Sequence, residues 1–153
     1  MTNEERLCSD FPLRTLGPGD ESVAAEACRV FGLDGELNPA AFLSRPETVL
    51  IVASEGAGVA GWVYGHELVH PDGERTMLLY ALEVAEYARR RGLGRALVEA
   101  FVDHARQRSC TEVWVLSDDQ NPGGIATYGS AGGARDQTVP VMFTWKLAEG
   151  RHS

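Results

Sequence analysis

Apolar side chains recur at helical spacing in one long stretch of the chain and at alternating spacing in several shorter stretches. The helical stretch contains Leu93, Leu97, Ala100, Phe101 and His104. This spacing predicts one amphipathic helix over residues 92–108, with His104 packed on its apolar stripe. The alternating stretches predict strands, and the order of the two patterns along the chain indicates the fold class.

β-branched and apolar residues dominate between residues 48 and 84, and glycine-containing turns interrupt this run twice. The pattern predicts three consecutive antiparallel strands. In the third strand, the period of two predicts one shared face for Leu78, Tyr80, Leu82 and Val84. Further strands are predicted over residues 11–16, 112–117 and 138–147.

Cap residues predict where the shorter helices begin. Asp20 is expected to cap a helix over residues 21–31, and Asn38 is expected to cap a short helix that reaches residue 44. Pro122 predicts the start of a helix that reaches Tyr128. The order β-α-α-β-β-β-α-β-α-β predicts a single mixed α/β domain over residues 1–153, without an internal repeat.

The charge of the chain is negative overall and positive in one segment. With 44% hydrophobic and 24% charged residues, the composition is that of an ordinary globular protein. The formal net charge of −8 disfavours nucleic acid as the main partner and favours a cationic substrate. Residues 86–108 nevertheless contain six arginines and only three acidic residues. One positive patch in an acidic chain predicts an anionic ligand at the patch and a cationic ligand nearby.

The cysteines and the apolar runs argue against metal and membrane partners. Three cysteines, without a CxxC pair or a Cys/His cluster of zinc spacing, predict free thiols and no metal site. No apolar run approaches the ~18 residues of a membrane span, and the N-terminus lacks the basic start of a signal peptide. We therefore expect a cytoplasmic protein.

The most informative segment joins the strand that ends at Val84 to the long helix, and it reads Arg89, Arg90, Arg91, Gly92, Leu93, Gly94, Arg95. Helix N-termini present unpaired N–H groups and a partial positive charge. Glycine allows a phosphate to approach, and arginine adds charge-assisted hydrogen bonds. For the Gly-x-Gly pair alone, a solvated helix start is the alternative interpretation. A dinucleotide-binding loop fits less well, because its third glycine position falls on Leu97.

Arg89, Gly92 and Gly94 resemble the acetyl-CoA signature of the GNAT superfamily of N-acetyltransferases, Arg/Gln-x-x-Gly-x-Gly/Ala. The resemblance implies the GNAT acyl-CoA N-acyltransferase fold, in which helices flank a central, largely antiparallel sheet. It implies acetyl-CoA as the cosubstrate, with the pantetheine arm along the backbone of Leu82 and Val84. It also implies that the amides of residues 89–95 hold the pyrophosphate.

The same resemblance implies direct acetyl transfer to an amine, without an acyl-enzyme. Such an enzyme accepts a proton from the ammonium and supplies one to the leaving thiolate. Tyr128 occupies the tyrosine position of the family and is the candidate acid, whereas Glu83 and Asp118 are the candidate bases. A structural tyrosine, a surface aspartate and a Glu83 paired with Arg75 or Arg135 are the alternative interpretations.

Residues 42–49, residues 79–84 and Ser117-Asp118 resemble the class I aminoglycoside 3-N-acetyltransferases, which cause antibiotic resistance. That group has an aspartate where this chain has Ala81, and Glu83 on the same strand face is the candidate replacement. A polycationic acceptor needs carboxylates around it. The candidate substrate-binding residues are Asp34, Glu36, Tyr80 and Asp119.

Two other functions remain open from the sequence. One is protein or peptide N-acetylation, and the other is a non-catalytic module that binds acyl-CoA. The resemblance also suggests a homodimer. Trp62, Trp114 and Trp145 lie in predicted strands, where we expect core or dimer-surface residues instead of ligand contacts.

Overall fold

A computed structural model describes residues 5–7, 11–33, 35–118, 120–136 and 141–147. Its six strands form one sheet in the order β1 to β6. The first five strands pair antiparallel, and β6 pairs parallel with β5. This architecture confirms the predicted mixed α/β fold. The strands are β1 (Glu5–Leu7), β2 (Pro12–Thr15), β3 (Thr48–Glu55), β4 (Gly58–Val69), β5 (Arg75–Val84) and β6 (Glu112–Trp114).

Helices cover both faces of the sheet. The long helix α3 buries Leu97 and Phe101 against one face, where Val63 of β4 lies. On the other face, the shorter helices pack Ala27 and Leu43 near Trp62. Full burial of a side chain the size of Leu or Phe contributes about 1.5–3 kcal/mol, so the α3 stripe is a main source of stability. The helices are α1 (Glu21–Val30), α2 (Pro39–Leu43), α3 (Leu93–Gln107) and α4 (Pro122–Ser130), with a 3₁₀ turn at Glu86–Ala88.

A bulge in the β4–β5 pair changes which residues share a face. The register shifts between Tyr64 and Gly65, and Tyr80 has no partner across the pair. A side chain at Gly65 would overlap the Leu78 carbonyl and the Phe101 ring, so this crossing requires glycine. Leu82 and Val84 pack against the core on the α3 side, whereas Tyr80 stacks on Tyr64 on the opposite side. The predicted common face for Leu78, Tyr80, Leu82 and Val84 is therefore wrong, because the extra residue shifts the alternation.

The helix starts follow the cap residues with one exception. Asn38 Oδ1 accepts the Ala41 N–H at 3.3 Å, which confirms the predicted cap of α2. Asn121 Oδ1 accepts the Gly124 N–H at 3.1 Å and caps α4 in the same way. Asp20 precedes α1 as predicted, but its side chain does not cap the helix. Its carboxylate accepts the Gly17 N–H and pairs with Arg14, so it closes the preceding turn.

The last predicted strand is wrong for the part of it that the structure describes. Residues 141–147 form no strand, and their large apolar side chains are 75–93% exposed. A strand pattern indicates propensity only, and a strand forms where a second strand offers its edge. Residues 138–140 of this prediction lie outside the described residues. The short strand β1 was not predicted.

A buried carboxylate joins α3 to the sheet at the end of β4. Glu67 is 6% exposed, and its Oε2 accepts hydrogen bonds from Arg108 Nε at 3.0 Å and Nη2 at 2.8 Å. Its Oε1 lies 3.4 Å from Arg75 Nη1. One helical turn before Arg108, burial and the nearby Arg108 charge lower the pKa of His104. These contacts agree with the expectation that His104 is a packed, structural residue.

Two searches of the described part of the chain found no candidates. No group of three or more His, Cys, Asp or Glu residues there could hold a metal ion. No helix among these residues is long and apolar enough to cross a membrane.

Candidate active site

The last residues of β5 lie at an open edge of the sheet. β6 pairs with β5 only from Thr76 to Leu78, and the rest of β5 has β4 as its one strand neighbour among the described residues. Beyond the strand, the Ala85 N–H donates to Ala60 next to β4. Because backbone groups alternate between the two edges of a strand, Leu82 and Val84 direct theirs to the open edge. A ligand that contains amide groups can pair there.

The start of α3 lies directly after this edge and carries no negative charge. Gly92 occupies the N-cap in the left-handed conformation, with φ of 79°. This conformation favours glycine, because other L-residues are strained in it. No side chain caps the helix, and its first turn contains no acidic residue. The unpaired N–H groups and the positive end of the helix dipole can therefore bind an anion.

Four exposed arginines surround this helix start, and each is oriented by a different contact. Arg89 Nε donates to the Val84 carbonyl at 3.2 Å, and Arg90 adopts a positive φ of 64°. The Arg91 guanidinium lies 4.6 Å from the centroid of the Phe11 ring. Arg95 pairs with the glutamate one turn later in α3. The contacts hold several guanidinium groups around one helix end, where their charges add to the helix dipole.

Gly94 has a packing role that the sequence did not indicate. A Cβ at this position would lie 3.2 Å from Thr127 Cγ2 and 3.9 Å from Val84 Cγ2. The sequence interpretation assigned Gly92 and Gly94 to phosphate access alone. In the structure, Gly94 also allows α4 to approach the start of α3 and the end of β5.

Tyr128 follows this contact residue in α4. Its ring packs against the hydrophobic core that contains Leu93 and Leu97. Burial raises the pKa of Tyr128 above its ordinary value of 10.0. The hydroxyl is therefore protonated at neutral pH and can donate a proton or a hydrogen bond. Both interpretations of Tyr128, structural and acidic, are compatible with a half-buried ring.

Glu83 lies at the end of β5 on the sheet face opposite α3. Its Oε2 accepts a hydrogen bond from Trp62 Nε1 at 2.9 Å, and its side chain is exposed. Glu83 pairs across the sheet with Trp62, and Ala81 pairs with Tyr64, so Glu83 and Ala81 share a face as predicted. Arg75, one of the two arginines considered as partners of Glu83, pairs with Glu67 instead.

Aromatic rings cover the face on which Glu83 lies. Tyr80 is 63% exposed and stacks on Tyr64 with ring centroids 5.6 Å apart. Tyr64 also contacts Trp62 edge to face. The sequence analysis identified Tyr80 but missed Tyr64 and Trp62, because a strand pattern alone does not show which aromatic residues adjoin a carboxylate. Apolar rings beside one carboxylate suit a cationic ligand that also has an apolar surface.

The other acidic candidates are more dispersed. Glu36 is exposed in the loop between α1 and α2. Asp118 Oδ1 accepts the Gln120 N–H at 2.8 Å, and its carbonyl accepts the Asn121 N–H. Asp118 therefore shapes the turn before α4. Asp34 and Asp119 lie outside the described residues.

The sequence matches the family model of the acetyltransferase (GNAT) family over residues 21–132. The chain belongs to this family. A comparison with curated protein sequences found no match. The family match spans α1 to α4, and it includes the helix start and the end of β5 described above.

Solved structures of other acetyltransferases have the same fold. An aminoglycoside acetyltransferase, meta-AAC0020 from an uncultured soil metagenomic sample in complex with sisomicin, aligns with a TM-score of 0.79 and 18% identity. The alignment covers 90% of this chain and 97% of that chain. The ribosomal-protein-alanine N-acetyltransferase from Brucella melitensis biovar Abortus 2308 aligns with a TM-score of 0.68 and 18% identity, over 88% and 99% of the chains. At these identities the likeness shows a common fold.

As a GNAT acetyltransferase, the chain is an enzyme that transfers acetyl groups, and the family uses acetyl-CoA as the donor. Its residues fit that donor. The helix start without acidic residues, together with Arg89 and Arg90, fits a pyrophosphate, and the open edge at Leu82 fits an amide-containing arm. The aromatic face beside Glu83 lies across the sheet from α3 and is accessible to an amine.

Proposed function

We propose that this enzyme transfers the acetyl group of acetyl-CoA directly to a primary amine of a cationic small molecule, in particular an aminoglycoside. The observation that carries the proposal is the separation of β5 from β6 directly before the uncapped start of α3. This arrangement gives one ligand both an open strand edge and an anion-binding helix end. Acetyl-CoA has an amide-containing arm and a pyrophosphate in the same order.

In the proposed complex, the backbone of Leu82 and Val84 pairs with the pantetheine arm. The N–H groups of Gly92, Leu93, Gly94 and Arg95 and the guanidinium groups of Arg89, Arg90 and Arg91 bind the pyrophosphate. The Arg89 contact with the Val84 carbonyl supports this arrangement, because it holds a guanidinium at the junction of the two sites. Binding along this path brings the thioester next to the end of β5.

Two side chains then handle the protons. Glu83 accepts a proton from the acceptor ammonium, and the resulting neutral amine attacks the thioester carbonyl. Tyr128 donates a proton to the departing thiolate, a role that its raised pKa supports because the hydroxyl keeps its proton at neutral pH. Asp118 is the alternative base, acting through water. Its hydrogen bond to Gln120 favours a structural role and makes Glu83 the stronger candidate.

The net charge of −8 and the exposed Tyr80 beside Glu83 support a cationic acceptor. Glu36 at the rim, and Asp34 and Asp119 in the neighbouring loops, are the proposed carboxylates for further ammonium groups. The likeness in fold to an acetyltransferase crystallised with sisomicin supports the aminoglycoside class. Acetylation of the 3-amino group is the finer proposal, with Glu83 in the role of the carboxylate that Ala81 lacks.

An N-terminal alanine of a protein is the competing acceptor, because a ribosomal-protein-alanine N-acetyltransferase has a similar fold. A thiol-release assay with acetyl-CoA separates the two classes. Sisomicin, spermidine and an alanine-terminated peptide are compared at equal concentration, with acetyl-CoA alone as the control. We expect the fastest release with sisomicin, and mass spectrometry with NMR then locates the acetyl group. Release with the peptide alone would refute the small-molecule proposal.

A further inference from the structure

A buried tryptophan on β4 holds the Glu83 carboxylate. Trp62 is 3% exposed, Glu83 is its partner across the β4–β5 pair, and its Nε1 lies 2.9 Å from Glu83 Oε2. A buried indole N–H without an acceptor destabilises the folded state, so the fold itself requires a carboxylate oxygen at this point. The hydrogen bond therefore persists whether or not a ligand is bound.

Neighbouring rings fix the indole in turn. Phe31, at the end of α1, stacks on Trp62 with ring centroids 5.2 Å apart. Tyr64 contacts it edge to face at 5.1 Å. A donor that is held on two sides cannot follow the carboxylate when it rotates. One oxygen of Glu83 is thus restrained while the exposed side chain still faces the acceptor side of the sheet.

We propose that Trp62 is a positioning residue for proton transfer to Glu83, an inference that rests on the base role given to Glu83 above. Trp62 holds Oε2, and Oε1 receives the proton. The N–H bond of the acceptor ammonium breaks, its electron pair becomes the amine lone pair, and an O–H bond forms at Oε1. Oε2 is then the carbonyl oxygen of a carboxylic acid, which still accepts the indole N–H.

Two substitutions separate this role from simple packing. Trp62→Phe removes the N–H and keeps an aromatic ring. Glu83→Gln keeps an amide oxygen as the acceptor for Trp62 and removes the base. We expect Trp62→Phe to lower kcat/KM about 10–10²-fold in the wild-type background, the effect of a misplaced reacting group. In the Glu83→Gln background it should have no further effect, and KM for acetyl-CoA should stay constant throughout.

A spectroscopic measurement tests the contact without relying on turnover. The indole N–H resonance of Trp62 in ¹⁵N-labelled protein is followed from about pH 3 to pH 8, across the ordinary pKa of glutamate near 4.3. Trp62→Phe assigns the resonance. We expect one acidic transition in the wild-type protein and none in Glu83→Gln. A wild-type resonance without an acidic transition, or the same transition in Glu83→Gln, would overturn the inference.

The other titratable groups of this face are separable from Glu83. Burial raises the pKa of Tyr64 and of Cys28 on α1, so neither ionises in the acidic range. Tyr80 is a phenol, which ionises near pH 10 in its ordinary range. His66 contacts the Tyr80 ring at the far end of the cluster, and His66→Gln identifies any contribution from it.

The kinetic arm uses sisomicin, or the most active amine of the panel, as the acceptor. An indole that titrates with Glu83, combined with equal losses from Trp62→Phe in both backgrounds, overturns the positioning role and leaves the proposed function intact. Unchanged kcat/KM in Glu83→Gln overturns the base role and the inference with it. Loss in the wild-type background alone supports both.

Discussion

The β4–β5 pair carries one glutamate at each end, and the two differ in what holds them. The side chain of Glu67 is 3% exposed and contacts the guanidinium groups of Arg75 and Arg108. Glu83 is exposed and accepts a hydrogen bond from the neutral indole of Trp62. Guanidinium partners neutralise a carboxylate, whereas a neutral donor orients it and leaves its charge for a ligand. The comparison indicates a structural end and a reactive end of the same strand pair.

The two ends of α3 follow the same division. Its last turn is followed by Arg108, which binds Glu67 and fixes the helix to the sheet. Its first turn has neither a side-chain cap nor an acidic residue, so its N–H groups are available to a ligand. A single helix therefore connects a rigid support with a candidate binding site.

The largest expected effect comes from the same substitution made at each end. Glu83→Gln should lower kcat/KM for a cationic acceptor about 10²–10⁴-fold and remove the acidic limb of the pH–rate profile, because the general base is lost. Glu67→Gln should leave kcat/KM of the folded enzyme close to the wild-type value. Steady-state kinetics across pH tests both variants, and equal losses in the two would remove the distinction between the ends.

Tyr128→Phe sharpens the assignment of the acid. Turnover should fall about 10²-fold, because water then has to protonate the thiolate. The ring remains, so the melting temperature and the affinity for acetyl-CoA should stay near wild-type values. Stopped-flow thiol release and a thermal melt check both expectations. Wild-type turnover would assign Tyr128 to packing alone.

For stability, the order of the two glutamates should reverse. Glu67→Gln leaves two guanidinium groups facing a neutral amide, and we expect a loss of about 1–3 kcal/mol in the free energy of unfolding. Glu83→Gln preserves the indole hydrogen bond and should change it by less than about 0.5 kcal/mol. Urea unfolding of both variants measures the difference. A larger loss for Glu83→Gln would identify Glu83 as the structural carboxylate.

The smallest effects should separate the two glycines at the start of α3. Gly94→Ala brings a methyl group against Thr127 and should cost about 1 kcal/mol, which Thr127→Ser should recover because it removes Cγ2. Gly92→Ala should cost about 1–2 kcal/mol through its positive φ, and Thr127→Ser should not help there. Urea unfolding of the single and double variants is the test. Recovery at both positions would contradict the difference in cause.

The sequence predicted most elements of the fold, because their signals are local. The apolar stripe of α3, the Asn38 cap and the turns between the central strands depend on residues close in the chain. The bulge at Tyr80 was missed because it arises from the close crossing of Gly65 with Leu78 and Phe101. The failure at residues 141–147 has a similar origin, since pairing depends on a distant edge.

The candidate site was predicted unevenly for the same reason. The arginine and glycine segment is contiguous, so its pattern and its family resemblance were visible in the sequence. The partner of Glu83 was not visible, because Trp62 lies 21 positions away and the pairing depends on the strand register. Glu67 gave no signal at all, since only the folded structure shows that it is buried between Arg75 and Arg108.

Amide hydrogen exchange with and without acetyl-CoA tests the central claim most directly. The account predicts slower exchange at residues 92–95 and at Leu82 in the presence of acetyl-CoA, with exchange around Glu67 and Arg108 unchanged. Coenzyme A without the acetyl group should protect the same amides. Protection confined to the Glu67 end, or none at residues 92–95 at a saturating concentration of acetyl-CoA, would contradict the account.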